Sequence, residues 1–375
     1  MPSTQLRQRI VESVSSMVVK VGTNAICDAQ GQLETRVVGA LASQIARAMQ
    51  DGVSVALVAS GAVGAGMAEL GLDKRPKTLP MLQATAAVGQ GQLMRRFHDI
   101  FARRKVKVAQ VLVTRDDFED RKRYINIRNT LTTLWECGVL PIINENDAAG
   151  VEEFRFGDND IIAALVNNML AADLLVLLTT VDGVLKDGKV LELIQRVDDE
   201  AFALVNASRS CLGSGGMASK IAAAGMVVTM GEMAAIANAR TGGILDKLRA
   251  GRKVGTVFVP ADRKISSRRK WIAQATRPAG TLVIDSGAAR ALQQRGKSLL
   301  PSGIAQVQGS FDTGDVVRIA TAEGVELARG LTNYPADQLR QIMGKQSSQI
   351  EKILGEKPYD EAVHRNNLSL TDRAG

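Results

Sequence analysis

The chain has 375 residues, of which 45% are hydrophobic and 23% charged, and this composition indicates a globular protein long enough for two domains. Aromatic residues make up only 3%, which argues against a stacking surface for single-stranded nucleic acid. Cys27, Cys137 and Cys211 are far apart and the only histidines are His98 and His364. The cysteines show neither zinc-type spacing nor a disulfide framework, and two histidines argue against a histidine metal site or a Ser-His-Asp triad.

The chain is basic, with a net charge of +8, and the excess is unevenly distributed. Residues 279–375 carry 11 basic and 11 acidic side chains, so the whole excess lies in residues 1–278. Binding of acidic small molecules would explain this as well as nucleic acid would. The first 15 residues are polar and no run of about 18 apolar residues occurs. We therefore expect neither a signal peptide nor a membrane span, and a cytoplasmic protein.

Short apolar strands alternate with helices in the first part of the chain. Strands are predicted at 16–21, 53–58, 106–113, 139–143 and 174–178, and helices at 35–51, 81–104, 124–137, 161–171 and from 217 onward. This alternation predicts an α/β fold with an open, mostly parallel sheet sandwiched by helices.

The last third of the chain has a different pattern. Residues 249–277 are basic and irregular, and short strands are then predicted at 280–285, 304–309, 315–321 and 325–331, with helices near 336–343 and 347–354. Glycine-containing turns separate these strands, which indicates a small β-rich module. We predict an α/β domain at 1–262, a linker at 263–278, the β-rich domain at 279–356 and a tail at 357–375.

Polar residues cluster in the stretch 141–160, which reads PIINENDAAGVEEFRFGDND. Asn144–Asp147 follows a predicted strand, and Gly157–Asp160 opens a predicted helix. In an open α/β sheet, ligands bind where strands end and helices start. Helix capping is the alternative, but one cap does not require six Asp and Asn residues. We favour a polar ligand site.

Two glycine-rich segments, 59–66 (ASGAVGAG) and 213–220 (GSGGMASK), also follow or precede predicted elements. Glycine lets backbone N–H groups approach an anion closely, although neither segment fits the dinucleotide fingerprint or the P-loop. Lys20 ends the first strand, and alone it would be taken as a solvated lysine. The two glycine-rich segments, the lysines and the Asp/Asn cluster together supply what phosphoryl transfer needs: donors around the phosphates, positive charge and acidic groups. Since no strong nucleophile or base is evident, the phosphate acceptor is expected to be already ionised, such as a carboxylate.

Five motifs in this order resemble the amino-acid kinase family, and most closely its glutamate 5-kinases: VVKVGTNA, VASGAVGAGM, IINENDAAGVEEFRFGDND, LLTTVDGVL and GSGGMASK. The segment that begins AGTLVIDSG resembles a PUA domain, and the likeness covers roughly residues 15–356. The resemblance implies an enzyme that uses ATP and Mg²⁺ to phosphorylate the γ-carboxylate of L-glutamate. The product, L-glutamyl 5-phosphate, is the first intermediate of proline biosynthesis.

The resemblance also implies residue roles. It assigns catalysis to Lys20, Lys220 and Asp160, the last of which orients the two lysines. It assigns glutamate binding to Ser60, Asp147 and Asn159. The positions implied for the nucleotide are Lys20, Thr179, Thr180, Ser214, Gly215, Gly216, Met217, Ala218, Ser219 and Lys220. No metal ligand is assigned. Departures from the family pattern at Thr23-Asn24, at Thr180 and in the short segment 186–189 concern contacts with the nucleotide.

Two alternatives stay open on the sequence. One is a related kinase that acts on N-acetylglutamate, aspartate or carbamate. The other is an RNA-binding regulator that acts through the PUA-like domain, although the zero net charge of that domain and its few aromatics argue against RNA. The resemblance further implies a homo-oligomer that is inhibited by proline in competition with glutamate, with no membrane partner.

Overall fold

A computed structural model describes residues 14–27, 34–149, 159–186, 188–195, 216–260, 278–295 and 297–370. The chain divides into two compact units, Met1–Arg263 and Lys264–Gly375. Most of the predicted linker, at 263–277, lies outside the described residues, as do the predicted site residues Ser214 and Gly215. No helix within the described ranges is long and apolar enough to cross a membrane.

The first unit contains a large sheet and its covering helices. The strands are β1 (Ser16–Val21), β2 (Ser54–Ala59), β3 (Val108–Val113), β4 (Leu140–Glu145), β5 (Leu174–Thr179), β6 (Leu185–Lys186), β7 (Lys189–Val190), β8 (Leu193–Ile194), β9 (Met233–Asn238) and β10 (Thr256–Phe258). The helices are α1 (Thr23–Ile26), α2 (Thr35–Gln50), α3 (Ala62–Glu69), α4 (Leu79–Ala102), α5 (Asp116–Glu119), α6 (Arg121–Glu136), α7 (Asn159–Leu170), α8 (Met217–Thr229) and α9 (Ile244–Arg249).

The large sheet has the strand order β3-β4-β2-β1-β5-β9-β10-β8. Neighbouring strands are parallel throughout, except that β10 runs antiparallel to β9. Strand β1 is central, and its Lys20 lies level with Val58 of β2 and Leu177 of β5. Strands β6 and β7 form a separate antiparallel pair. The predicted α/β class with a mostly parallel sheet is confirmed.

The sheet buries apolar side chains on both faces, because successive side chains of a strand point to opposite sides. Met17 and Val19 of β1 belong to one core cluster, which includes residues of α2, α4 and α9. Val18 belongs to the other cluster, which includes residues of α7 and α8. Lys20 is two residues beyond Val18, so the alternation turns its side chain towards α7 and α8.

The segment 59–66, predicted as an anion-binding glycine loop, is mostly helical, since α3 begins at Ala62. A Cβ added at Gly66 would lie 1.8 Å from the carbonyl oxygen of Thr85, and one added at Gly89 would lie 1.8 Å from that of Ala62. These glycines allow the backbones of α3 and α4 to touch. Helix packing, rather than phosphate binding, therefore explains Gly66. The prediction of irregular structure over 249–277 was wrong at Thr256–Phe258, which forms β10.

The second unit contains a five-stranded sheet in the order β12-β11-β13-β14-β15, which confirms the predicted β-rich module. Its elements are β11 (Gly280–Ile284), α10 (Ser286–Arg295), β12 (Ile304–Gly309), β13 (Val316–Ala320), β14 (Glu326–Leu331), α11 (Ala336–Ile342), α12 (Ile350–Leu354) and β15 (Leu368–Leu370). Its core includes Leu282, Ile319 and Tyr334, all fully buried. The module was predicted to end at 356, but the tail adds β15 to the sheet and Val363 to the core.

Candidate active site

Three charged side chains meet at the carboxyl edge of the large sheet: Lys20 of β1, Asp160 of α7 and Lys220 of α8. The Lys20 Nζ atom lies 2.7 Å from Asp160 Oδ1, and the Lys220 Nζ atom lies 2.9 Å from Asp160 Oδ2. The two lysines are 5% and 6% exposed and the aspartate is 0% exposed. One carboxylate thus holds two buried ammonium groups, one on each oxygen.

The fold explains how residues so far apart in sequence come together. Lys20 is the fifth residue of β1 and faces α7 and α8. Asp160 is the second residue of α7, and Lys220 is the fourth residue of α8. Both helices begin at the carboxyl edge of the sheet, where helices of a parallel α/β fold start. The partial positive charge of the helix start also stabilises the Asp160 carboxylate.

The charges of this cluster suit an anionic ligand. Two of the three ionised side chains in this cluster are positive. Ammonium groups bind phosphate oxygens through charge-assisted hydrogen bonds. Among the described residues, no grouping of three or more His, Cys, Asp or Glu could hold a metal ion. The donors that are present, ammonium and amide groups, suit phosphate oxygens.

A second polar group lies next to the cluster and contains Ser60, Asn144 and Asn159. The Asn159 Nδ2 atom donates to Ser60 Oγ at 2.6 Å and to Asn144 Oδ1 at 3.1 Å. Ser60 follows β2, and Gly61 then adopts a φ of 121°, a conformation that glycine takes readily and other residues rarely do. This turn ends β2 and starts α3, and it leaves the Ser60 side chain beside Asn159.

Asp147 lies on a turn after β4, and its carboxylate is half-buried. Burial raises the pKa of Asp147, and the positive charge of Arg75 counteracts this only in part. A carboxylate in that situation is stabilised by a cationic group. In the described part of the chain, no hydrogen bond or ion pair joins Asp147 to Ser60 or Asn159. Of the three predicted glutamate-binding residues, Ser60 and Asn159 are therefore hydrogen-bonded to each other, and Asp147 lies apart from them.

The residues predicted for the nucleotide lie along the same edge. Thr179 ends β5 and lies opposite Asn238, which ends β9. The Asn238 Nδ2 atom donates to Asp182 Oδ1 at 2.9 Å, and Asn238 Oδ1 accepts from the backbone N–H of Arg240 at 2.9 Å. Asn238 was not among the predicted site residues, because β9 was not predicted from the sequence. The sequence feature that could have identified it is its own position, as the polar residue at the end of the apolar run MAAIAN.

The first turn of α8 carries the described part of the second glycine segment. Gly216 has extended backbone at the start of the helix, and residues 217–220 form its first turn. Lys220 reaches Asp160 as described, and Ser219 Oγ is buried without a hydrogen-bond partner among the residues described. Thr180 lies just after β5 and is exposed. These positions line one continuous edge from β1 to β9.

Known proteins resemble the chain along nearly its whole length. The sequence profile of the Amino acid kinase family matches residues 15–238, and that of the PUA domain matches residues 280–354. A protein named Glutamate 5-kinase from Caldanaerobacter subterraneus subsp. tengcongensis is 44% identical over 364 residues, 95% of this chain and 98% of its own. One of the same name from Citrifermentans bemidjiense is 43% identical over 372 residues, 97% of this chain and 100% of its own.

A solved structure of carbamate kinase from Giardia covers 67% of this chain and 100% of its own, with a TM-score of 0.47 and 21% sequence identity. At that level of likeness nothing about a substrate follows.

Proposed function

This chain belongs to the amino acid kinase family, and we propose that it transfers the γ-phosphate of MgATP to the γ-carboxylate of L-glutamate. The product would be L-glutamyl 5-phosphate, made in the first step of proline biosynthesis. The observation that carries the proposal is the buried Lys20–Asp160–Lys220 cluster beside the Ser60–Asn159 pair. The likeness to proteins named Glutamate 5-kinase over nearly the full length supports glutamate, rather than another small acid, as the substrate.

The proposed reaction needs no general base. A glutamate γ-carboxylate, with a reference pKa of about 4.3, is already ionised at neutral pH. One of its oxygens attacks the γ-phosphorus, the bond from that phosphorus to the β–γ bridging oxygen breaks, and ADP leaves. The main obstacle is the repulsion between two anions. Lys20 and Lys220 offset it by holding positive charge where negative charge moves during transfer.

Asp160 is proposed to act by positioning the two lysines. Its two carboxylate oxygens contact both ammonium groups. The cost of ordering two long side chains is therefore met on folding, and the cations need not reorganise during the reaction.

The proposed substrate contacts hold the end of glutamate that does not react. Asp147 pairs with the ammonium group, since a charge-assisted hydrogen bond is about twice as strong as a neutral one. Ser60 and Asn159 add hydrogen bonds to the same end of glutamate, and holding that end positions the γ-carboxylate for attack. An N-acetylated amine lacks the positive charge, so this arrangement favours glutamate over N-acetylglutamate.

The nucleotide is proposed to lie along the edge formed by Thr179, Thr180 and the start of α8. Gly216 to Lys220 contribute there, together with Ser214 and Gly215 outside the described residues. Mg²⁺ is proposed to enter as part of MgATP, bound by phosphate oxygens. We also infer a cytoplasmic location.

Trapping the acyl phosphate tests the proposal. The protein is incubated with MgATP, glutamate and hydroxylamine, which converts an acyl phosphate into a hydroxamate. We expect γ-glutamyl hydroxamate and ADP in equal amounts, and neither product above background when glutamate or MgATP is omitted. Glutamate-independent release of ADP without hydroxamate would contradict the proposed chemistry.

Regulation and assembly are proposed on the family resemblance alone. Proline is expected to inhibit in competition with glutamate, and the protein is expected to form a homo-oligomer. Initial rates with proline at several glutamate concentrations test the first expectation, since competitive inhibition raises KM and leaves kcat unchanged. Sedimentation velocity tests the second.

A further inference from the structure

Four polar side chains form a continuous line of hydrogen bonds from helix α4 to the start of helix α7. Gln90 Oε1 accepts a bond of 2.8 Å from Asn144 Nδ2. Asn144 Oδ1 accepts one of 3.1 Å from Asn159 Nδ2, which also donates to Ser60 Oγ at 2.6 Å. We name these four residues the amide relay. Ser60 and Asn159 belong to the proposed substrate site, whereas the family resemblance assigned no role to Gln90 or Asn144.

The relay passes around the carboxyl edge of the sheet from one face to the other. Ile142 packs in the core cluster that includes α4, and Asn144, two residues later, continues that side of β4 and meets Gln90. Asn159 begins α7, which packs on the opposite face. Gln90 follows Gly89, where an added Cβ would lie 1.8 Å from the carbonyl oxygen of Ala62, so α4 packs closely against α3 at this point. The relay therefore joins secondary-structure elements that pack on both faces of the sheet.

Burial gives the relay a defined direction. Gln90 is 9% exposed and Asn144 is 3% exposed. Buried amide groups are stable only when their donors and acceptors are paired. An amide oxygen cannot donate, and an amide nitrogen cannot accept. The orientation of each amide is consequently set by the group that the next residue presents to it.

The relay leaves one acceptor for a ligand. Gln90 presents its oxygen, so Asn144 turns its nitrogen to Gln90 and its oxygen to Asn159. Asn159 then uses its N–H groups on Asn144 and Ser60, with a longer contact of 3.4 Å to the carbonyl oxygen of Ala59. Asn159 Oδ1 is buried and has no hydrogen-bond partner among the residues that the structure describes. A buried oxygen in that state requires a donor from outside.

We propose that Gln90, acting through Asn144, is a positioning residue that turns Asn159 Oδ1 towards the ammonium group of the substrate. The relay thereby favours glutamate over glutarate, the same dicarboxylic acid without the amino group. This inference rests on the proposed function, because it takes glutamate as the substrate. Asp147 supplies the charge for the ammonium, and Asn159 supplies a directed acceptor. Ser60 accepts from Asn159, so its hydroxyl hydrogen is left for a substrate carboxylate.

The test is Gln90→Met, which removes the acceptor and keeps a similar volume. Asn144 then has no partner that fixes its orientation, and Asn159 can turn its nitrogen towards the substrate. We expect KM for glutamate to rise at least about tenfold, or about 1.4 kcal/mol, with KM for ATP within about twofold. The ratio of kcat/KM for glutamate to that for glutarate is expected to fall by about tenfold, because only glutamate carries the ammonium group.

Two control variants separate positioning from simple structural support. Gln90→Glu keeps an acceptor at the same place, so the preference for glutamate over glutarate is expected to be kept or to rise. Gln44→Met removes another buried glutamine, which is 4% exposed and whose Oε1 accepts from the backbone N–H of Leu245 at 2.8 Å. It joins α2 to α9, away from the relay. We expect it to lower the melting temperature and to leave the preference unchanged.

The outcomes are distinct. A folded Gln90→Met protein that keeps the wild-type preference for glutamate overturns the relay inference, even if its melting temperature falls. If Gln90→Met does not fold, Gln90→Glu decides: a kept preference supports the inference, and a tenfold loss overturns it. A wild-type protein that does not phosphorylate glutamate overturns the proposed function, and this inference with it.

Discussion

Replacing Asp160 by asparagine removes the charge that holds two buried lysines and keeps the size of the side chain. The ammonium groups of Lys20 and Lys220 lie 2.7 and 2.9 Å from the carboxylate oxygens. At an effective dielectric constant of about 20, each attraction is about 6 kcal/mol before desolvation is subtracted. Removing one partner of a buried ion pair typically destabilises by about 3–5 kcal/mol. We expect Asp160→Asn to lower the free energy of unfolding by that amount.

The same substitution is expected to lower kcat by about 10²- to 10³-fold, because the lysines lose the group that positions them. Urea unfolding measures the first effect, and release of ADP at saturating substrates measures the second. Asp173→Asn is a matched control at the amino end of β5. Its carboxylate accepts four hydrogen bonds of 2.8–2.9 Å from the backbone N–H and hydroxyl groups of Ser15 and Ser16.

The control should lose stability and keep the kcat of the folded protein, since Asp173 lies far along the strand from the site. An Asp160→Asn protein whose kcat stays within about threefold of wild type, a change of about 0.7 kcal/mol, would rule out this role of Asp160. In that case, the lysines would not depend on Asp160 for their catalytic position.

Three further predictions concern the same site and the domain boundary. Lys20→Ala and Lys220→Ala should each lower kcat by about 10²-fold or more, measured by ADP release, and a near-normal kcat would exclude that lysine from catalysis. Asp147→Asn should raise KM for glutamate at least about tenfold, or about 1.4 kcal/mol, and leave KM for ATP unchanged. Burial raises the pKa of Asp147 above its usual 3.8, so on acidification this carboxylate gains its proton at a higher pH than an ordinary aspartate does. We therefore expect kcat/KM for glutamate to begin to fall at that higher pH. The Asp147→Asn variant should lack this step, and an identical pH profile would count against the assignment. A chain that ends at Arg277 should fold and still phosphorylate glutamate, since the chemical motifs precede that residue, whereas a folded but inactive truncation would show that the second unit is needed for activity.

Much of the fold could be predicted because buried parallel strands are uninterrupted apolar runs. Strands β1 and β5 were predicted within one residue of their observed bounds. Strands β10 and β15 were missed, since each has only three residues and too little pattern to separate it from a loop. Their pairing is decided by neighbouring strands, which a local pattern does not contain.

The helix α3 was missed for a different reason. The glycines of 59–66 suggested a loop, because glycine is unfavourable inside a helix. The structure shows that Gly66 is needed where α3 touches α4 at Thr85. This requirement depends on a residue that lies in another helix, so composition alone led to the wrong interpretation.

The residues of the candidate site differed in how readily they could be predicted from the sequence. Asp160 and Lys220 stood out because they lie at helix starts near polar or glycine-rich segments. The alternation of side chains along β1 predicts on which face of the sheet Lys20 lies, but it does not predict which helices cover that face. Gln90 had no signal, since a glutamine inside a long helix is common. Its role depends on a hydrogen bond with Asn144, 54 residues away.

Steady-state release of ADP across a panel of acids measures directly which acid the protein phosphorylates. Glutamate, N-acetylglutamate, aspartate, carbamate and glutarate are compared at equal MgATP, and kcat/KM is determined for each. We expect kcat/KM for glutamate to exceed that for every other acid by at least about tenfold, or about 1.4 kcal/mol. Preference for N-acetylglutamate, aspartate or carbamate would contradict it, since the buried lysines would then serve a different substrate.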